Sequence, residues 1–505
     1  MSFAPFAAIW VFLILAAIVC RVAKHRTVRD GVSLAAPIIA FILWYLFRPS
    51  DPYPSLGLAG RQWVMTETAW HLTGIALLTL LAAAVALAVQ RPDGIAGQQA
   101  GLTNFLAAAT LPAVWAADDR TRVLSVSVFV LVLVFCRWRN DRERPALDPS
   151  ALWPATSVVL LWLGSATPTL ESIAVLLAAA TLMGVWPFAG WPKGSGDVPA
   201  LSMMTAAMPV IAAAALLGGV LASLSFGPIA IIVATTTGLL SLIVGLIRVW
   251  NQPSGGLFNG LRSGLAGVVL LAAVWAGAPA LPPAVRLAAF IPALLMFGQS
   301  GQVMHEPASS VSGPGAGRLR LPTRQVAAAV AYLTLAGMPL TVGFTTLSIL
   351  YEAWQDWGGV VLALVMVLVL SLWLATIVLA GRESVNFPSA GHDARLQAAT
   401  LVIPVIGLMQ LPAGVSTISA ATWMAIIAAA GAGALLGRFL PGLESLGSLL
   451  QESMTLPASA GRIRSQWRRF HSLAANAVSD ALEILQGDFG LLWLLGLVLL
   501  LLWLG

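Results

Sequence analysis

The chain has 505 residues, of which 59% are hydrophobic and only 10% charged, and its net charge is +6 at pH 7. A soluble domain has about 45–50% apolar and about 25% charged residues, and its single hydrophobic core stops growing at about 250–300 residues. The composition therefore excludes a water-soluble protein. It predicts an all-α, polytopic integral membrane protein, because a helix satisfies its own backbone hydrogen bonds in lipid.

Apolar runs of about 15–24 residues, separated by charge, proline or glycine, predict about sixteen transmembrane helices. Several runs are short, so the expected number is about 14–16. The predicted spans are 3–20, 31–48, 69–89, 101–116, 122–136, 151–165, 170–190, 200–223, 227–248, 258–278, 282–297, 324–351, 358–381, 396–410, 416–437 and 488–504. The longest polar intervals, 49–68, 298–323 and 382–395, are predicted to be loops, which leaves no room for a soluble domain.

Basic residues are distributed unevenly among the connections, and Lys and Arg accumulate in short cytoplasmic loops. If the first connection is cytoplasmic, that side holds 22 of the 27 basic residues. The other five are Arg48, Arg61, Arg120, Arg122 and Arg286. This bias predicts a multi-pass protein of the cell (inner) membrane with its N-terminus outside, and it explains the net charge without a nucleic-acid partner.

Residues 458–486 differ from the rest of the chain because arginines lie opposite an apolar stripe with spacings of three and four residues. This pattern predicts an amphipathic interfacial helix before the last span. Two roles stay open for it, an anchor at the membrane surface or a strut along neighbouring subunits. Cys20 and Cys136 have no spacing typical of metal ligands, and no metal or cofactor site is predicted.

Three local motifs lie on the seventh, eleventh and twelfth spans. Residues 187–192 read P-F-A-G-W-P, residues 293–297 read A-L-L-M-F and are followed by Gly301 and His305, and residues 335–344 read L-A-G-M-P-L-T-V-G-F. The residues of the first and third motifs that we assign to helix breaks are Pro187, Gly190, Trp191, Pro192, Gly337, Pro339, Gly343 and Phe344. Glycine and proline at these points predict broken helices, whose ends expose backbone groups that can face ions or water.

In this order, the motifs resemble those of the antiporter-like membrane subunits of respiratory complex I (NADH-quinone oxidoreductase), membrane-bound hydrogenases and Mrp cation/proton antiporters. The resemblance implies two inverted repeats of five helices, each with a broken helix. It implies an N-terminal three-helix region at 1–100, repeats at 101–223 and 227–381, and two C-terminal spans at 396–437. The lateral helix of such subunits would correspond to 458–486 and the final span to 488–505.

The sequence departs from this family where proton transport would require ionisable groups. The resemblance implies intramembrane lysines, but this chain has only two lysines, Lys24 and Lys193, and both lie in predicted loops. The matching positions carry apolar residues, namely Leu182, a position near Ala212, Pro292 and Leu347, and Ala189 replaces a histidine. The resemblance thus implies the scaffold of a proton- or sodium-transporting subunit without its lysine relay.

The few remaining candidates for a proton path are His305, Glu67, His71, Arg262 and Arg324. His305 matches a family position but is also compatible with a loop histidine. Glu67 and His71 are one helical turn apart, which fits either a proton-accepting pair or two interfacial residues. Arg262 and Arg324 begin predicted spans, so we expect both side chains to reach the cytoplasmic surface.

The sequence contains no nucleophile–base pair, carboxylate dyad or phosphate-binding motif, so an autonomous enzyme is not expected. The favoured hypothesis is a non-catalytic membrane subunit of a proton-translocating, complex I-like assembly, with other membrane subunits and the lipid bilayer as partners. The alternative is an independent secondary transporter or channel that uses the broken helices. A membrane enzyme or flippase is a third possibility, but it would require ionisable residues gathered at one membrane face.

Overall fold

A computed structural model describes residues 2–50, 53–58, 60–90, 95–140, 153–167, 171–185, 199–223, 227–251, 253–300, 323–356, 359–382, 393–410 and 418–439. Sixteen α-helices and one two-stranded sheet lie in these ranges. Ten of the helices are long and apolar enough to cross a membrane, and four shorter apolar helices accompany them. The protein is therefore a multi-pass α-helical membrane protein, as predicted.

The helices follow the predicted spans closely, because their boundaries depend on local apolarity. They are α1 Ala4–Val22, α2 Arg26–Leu46, α3 Glu67–Gln90, α4 Ile95–Trp115, α5 Asp119–Asn140, α6 Trp153–Ala166, α7 Glu171–Met183, α8 Pro199–Ser223, α9 Pro228–Asn251, α10 Pro253–Ala276, α11 Leu281–Ser300, α12 Thr323–Leu335, α13 Val342–Asp356, α14 Val360–Arg382, α15 Asp393–Leu408 and α16 Ala420–Phe439. The predicted twelfth span is divided into α12 and α13. The predicted last span and the amphipathic segment at 458–486 lie outside the described residues, and the total number of spans stays a prediction.

The polar interval 49–68, predicted to be a loop, contains a β-hairpin. Strand β1, Ser55–Leu58, pairs antiparallel with β2, Arg61–Val64, and Gly60 in the turn has a φ of 75°. The other edge of β2 is occupied as well, because Gln62 N–H donates to the Asp118 carboxylate at 2.9 Å and the Gln62 carbonyl accepts from Ala117 N–H at 3.0 Å. The hairpin is thereby attached to the connection between α4 and α5.

Contacts divide the chain into two compact units, with Met1–Ala289 in the first and Phe290–Pro441 in the second. In unit 1, α8 packs against α3, α4 and α7, and α1 packs against α4. In unit 2, α14 packs against α12 and α16. The boundaries of the two repeats stay a prediction.

Helices α9 and α10 of unit 1 approach each other closely through two pairs of glycines. A Cβ atom added to Gly260 would lie 2.4 Å from the Gly245 carbonyl oxygen, and one added to Gly267 would lie 2.5 Å from the Gly238 carbonyl oxygen. Any side chain at these positions would therefore push the two helices apart. Between the pairs, the Ser241 hydroxyl donates to the Ser263 carbonyl at 2.7 Å.

Candidate functional site

The positions where the resemblance implies lysines are buried and apolar. Leu182 and Ala212 are fully buried in unit 1, Leu347 is 4% exposed, and Pro292 is also buried. In the described ranges, the buried charged side chains are those of three arginines, Arg61, Arg137 and Arg262. Lys24 is exposed, whereas Lys193 and Ala189 lie outside the described residues. The described interior thus has no buried lysine, histidine or acidic residue to relay protons.

Arg262 is buried among the helices of unit 1, and its predicted reach to the membrane surface stays a prediction. The residue is only 4% exposed, and it lies about 14 Å along α10 from Pro253 at about 1.5 Å per residue. Its side chain therefore packs inside the helix bundle of this unit. The predicted span began at residue 258, so Arg262 was expected closer to the helix end than it lies.

A second arginine, Arg137 near the end of α5, lies in the same interior. It is 7% exposed, its guanidinium donates to the Thr205 carbonyl of α8 at 3.5 Å, and it is close enough to Arg262 for the two charges to interact. Two buried like charges are costly in a membrane protein, so their retention marks this region as the leading candidate site. A guanidinium keeps its proton at ordinary pH, which makes it a fixed charge and a poor proton relay.

The end of α7 lies beside Ser263, the residue that follows Arg262. The Ser263 hydroxyl donates to the Gly184 carbonyl at 3.4 Å and lies 3.1 Å from the Ser241 hydroxyl. Gly184 has a φ of 71°, a left-handed conformation that ends the helix at little cost only for glycine. A short series of hydroxyl groups therefore connects the glycine-paired helices α9 and α10 to the end of α7.

The break predicted at 337–343 is confirmed. Helix α12 ends at Leu335, Gly337 has a φ of 71°, and α13 begins at Val342. Leu340 also has a positive φ, 76°, and its carbonyl accepts a hydrogen bond from Gln410 N–H at 2.9 Å. Gly343 is essential to the geometry, because an added Cβ atom would overlap the Thr334 carbonyl oxygen at 1.7 Å.

The structure brings Glu67 and His71 together at the beginning of α3, next to the hairpin. Glu67 Oε1 lies 3.9 Å from His71 Nε2 and 3.2 Å from Arg48 Nη2. The side chains of Glu67 and His71 are 59% and 42% exposed, a degree of exposure typical of interfacial residues. A role in a proton path stays a prediction for both.

The remaining predicted site residues include Arg324, which is the second residue of α12. His305, Pro187, Gly190, Trp191 and Pro192 lie outside the described residues. The hydroxyl groups of Thr205, Thr235 and Thr237 donate to carbonyls of their own helices, those of Ser202, Ile231 and Val233. The described part of the chain contains no cluster of three potential metal ligands.

No protein-family model and no curated protein matches the sequence. Among solved structures, the chain superposes on a chain of the Mrp complex from Dietzia sp. DQ12-45-1b with a TM-score of 0.70 and 16% identity, covering 98% of this chain and 62% of that chain. This protein therefore has the fold of that Mrp membrane chain. A chain of the membrane-bound sulfane sulfur reductase, an archaeal respiratory membrane complex, superposes with a TM-score of 0.56 and 14% identity, covering 87% of this chain and 76% of that chain.

The likeness confirms, at the level of the fold, the resemblance that the three motifs predicted. The protein spans less than two thirds of the length of the matched Mrp chain. The buried arginines of this protein had no sequence signal of their own, because Arg137 and Arg262 both resemble ordinary basic residues near the ends of spans. The hydroxyl contacts at the end of α7 had no sequence signal either.

Proposed function

We propose that the chain is a membrane subunit of a proton-translocating, complex I-like assembly of the NADH-quinone oxidoreductase, hydrogenase or Mrp antiporter type, and that it serves as a scaffold without conducting protons itself. The Mrp-like fold supports membership in such an assembly, since both solved neighbours are parts of membrane complexes. We further propose that the subunit lies in the cell membrane with its N-terminus outside.

The observation that carries the scaffold role is the burial of apolar side chains where a relay would need lysines. Leu182, Ala212 and Leu347 cannot bind or release protons, and all three are buried. The buried charged residues described in unit 1 are arginines, whose guanidinium groups stay protonated and cannot pass a proton along a relay. A subunit with this interior would hold neighbouring subunits in place without offering a chain of proton acceptors.

Reconstitution of the purified chain in liposomes containing a pH-sensitive dye tests the absence of conduction. A pH gradient is applied, and we expect it to decay no faster than in empty liposomes, with a protonophore as the positive control. Rapid decay that depends on the protein would overturn the scaffold role.

Partnership is tested separately by affinity purification of the tagged chain from native membranes in mild detergent. We expect stoichiometric membrane subunits of a respiratory, hydrogenase or antiporter assembly to copurify. Purification of a stable chain without any partner would contradict membership in an assembly.

An independent secondary transporter or channel is the second candidate, and the break between α12 and α13 favours it. Broken helices place backbone carbonyls and helix ends where a solute can bind. A chain that purifies alone and gains thermal stability from one solute or ion in a screen would support this alternative over the scaffold.

A further inference from the structure

One face of the β-hairpin packs only partly on the helices. Directly opposed residues of an antiparallel pair point to the same side of the sheet. Leu56 is opposite Trp63 and Leu58 is opposite Arg61, so these four side chains share one face. The other face carries Ser55, Gly57, Gln62 and Val64.

Burial identifies the first face as the one turned toward the helices. Trp63 is 8% exposed and Arg61 is 5% exposed, whereas Gln62 on the other face is exposed. The leucines of β1 point to the same side as Trp63 but stay 40% exposed at Leu56 and 62% exposed at Leu58. Because β2 is the strand attached to residues 116–118, β1 lies about 4.8 Å farther out and extends past the helices below.

The surface next to β1 is apolar and exposed. Helix α2 is long and apolar enough to cross a membrane, and it carries a stripe of exposed apolar residues at helical spacing, Ile38, Ile39, Ile42, Tyr45 and Leu46. The stripe ends with Tyr45 and Leu46, 69% and 66% exposed, before the chain continues through Arg48 and Tyr53 into β1. Tyrosine, arginine and exposed leucine together are typical of the layer where headgroups meet acyl chains.

We propose that the hairpin is an interfacial anchor, in which Leu56 and Leu58 insert into the headgroup region of the leaflet that borders the end of α2. The exposed leucines point toward the membrane, while Gly57 and Gln62 point toward water. Insertion removes apolar surface from water and holds the connection between α2 and α3 at a fixed depth. The ligand of this surface is the lipid bilayer, and the proposal does not depend on whether the protein conducts ions.

Site-directed spin labelling of the full chain in liposomes of phosphatidylethanolamine and phosphatidylglycerol tests the proposal. Single variants Leu56→Cys and Leu58→Cys are compared with the matched controls Gly57→Cys and Gln62→Cys on the opposite face. The native Cys20 and Cys136 are both buried, and labelling of the parent chain gives their background. Collision rates of each label with oxygen, which concentrates in lipid, and with a water-soluble nickel chelate are then measured.

We expect the ratio of oxygen to nickel collisions to be several-fold higher at residues 56 and 58 than at 57 and 62. A high nickel collision rate at all four positions would overturn the proposal, since the hairpin would then stand away from the bilayer. Low collision rates with both reagents at 56 and 58 would overturn it in favour of a protein contact on this face. Elution of each variant as the parent chain does on size-exclusion chromatography verifies folding.

Discussion

The ends of α7 in unit 1 and α12 in unit 2 have the same local structure. Thr181-Leu182-Met183-Gly184 and Thr334-Leu335-Ala336-Gly337 share the pattern T-L-x-G, and both glycines have a φ of 71°. The hydrogen bonds also correspond. Gly184 N–H donates to Thr181 and Val185 N–H to Ala180, as Gly337 N–H donates to Thr334 and Met338 N–H to Leu333.

Both ends are therefore Schellman caps, in which glycine reverses the chain and satisfies the last carbonyls of the helix. Their tertiary connections differ. The first cap receives a side-chain hydrogen bond from Ser263 on α10, whereas the second is held by backbone contacts of Gly343 and of Leu340 with Gln410. The comparison teaches that the same local stop signal can be fixed by quite different neighbours.

The largest effect is expected from a variant that disrupts only the second break, between α12 and α13. Gly343→Ala should destabilise the protein by about 3 kcal/mol or more, because its methyl group would overlap the Thr334 carbonyl and force the two helix ends apart. Thermal unfolding in detergent, followed by size-exclusion chromatography after heating, measures the change. Gly431→Ala in α16 is the control, since nothing lies within 4 Å of its added Cβ atom. Equal melting temperatures for the two variants would contradict the close approach.

Substitution of the capping glycines tests whether the two caps are equivalent. Gly184→Ala and Gly337→Ala should each cost about 1–2 kcal/mol, because a side chain disfavours positive φ. Gly337→Ala should cost more, since its Cβ atom would also lie 3.0 Å from Ile426. Asparagine tolerates this conformation better, so Gly184→Asn should be milder than Gly184→Ala in the same melting assay. A cap that loses nothing with alanine does not rely on its left-handed glycine.

Removal of a single hydroxyl group should affect only the first cap. Ser263→Ala should destabilise unit 1 by about 1 kcal/mol through loss of the hydrogen bond to Gly184. The control is Ser348→Ala, whose hydroxyl bonds to Thr345 of its own helix, and the expected change there is smaller. Thermal melting of both variants, with hydrogen exchange at residues 180–185, measures the effect. Unchanged exchange at the end of α7 would show that Ser263 does not fix it.

The smallest expected effect is a dependence of stability on pH at Asp118, beside the hairpin. The two caps lack titratable groups and should not show it. Burial disfavours ionisation of Asp118, but hydrogen bonds from Thr121 and from Gln62 N–H outweigh it and lower the pKa of the carboxyl below its ordinary value. A lowered pKa means that the carboxylate stabilises the fold above the pKa of the unfolded chain and loses this effect as pH falls through the folded pKa. The melting temperatures of the parent and Asp118→Asn should therefore converge as pH falls from 7 toward 3. A difference that stays constant over this range would show that ionisation of Asp118 does not stabilise the fold.

The amino-acid sequence by itself determined the membrane class, the positions of the helices and the second break. Apolar length and the residues Gly337, Pro339 and Gly343 act locally, so they could be recognised without tertiary information. The T-L-x-G pattern is equally local and marks the cap at Gly184. The first break was predicted at the P-F-A-G-W-P motif, residues 187–192, which lie outside the described residues. The absence of intramembrane lysines was likewise evident from the sequence.

Only the tertiary structure decided where the remaining charges and polar groups lie. Arg262 has the sequence context of a residue near the start of a span, yet packing against neighbouring helices leaves it only 4% exposed. The hairpin depends on Asp118 and Ala117, more than fifty residues from its strands. Burial and pairing of this kind result from contacts between segments distant in sequence, and local apolarity carries no information about them.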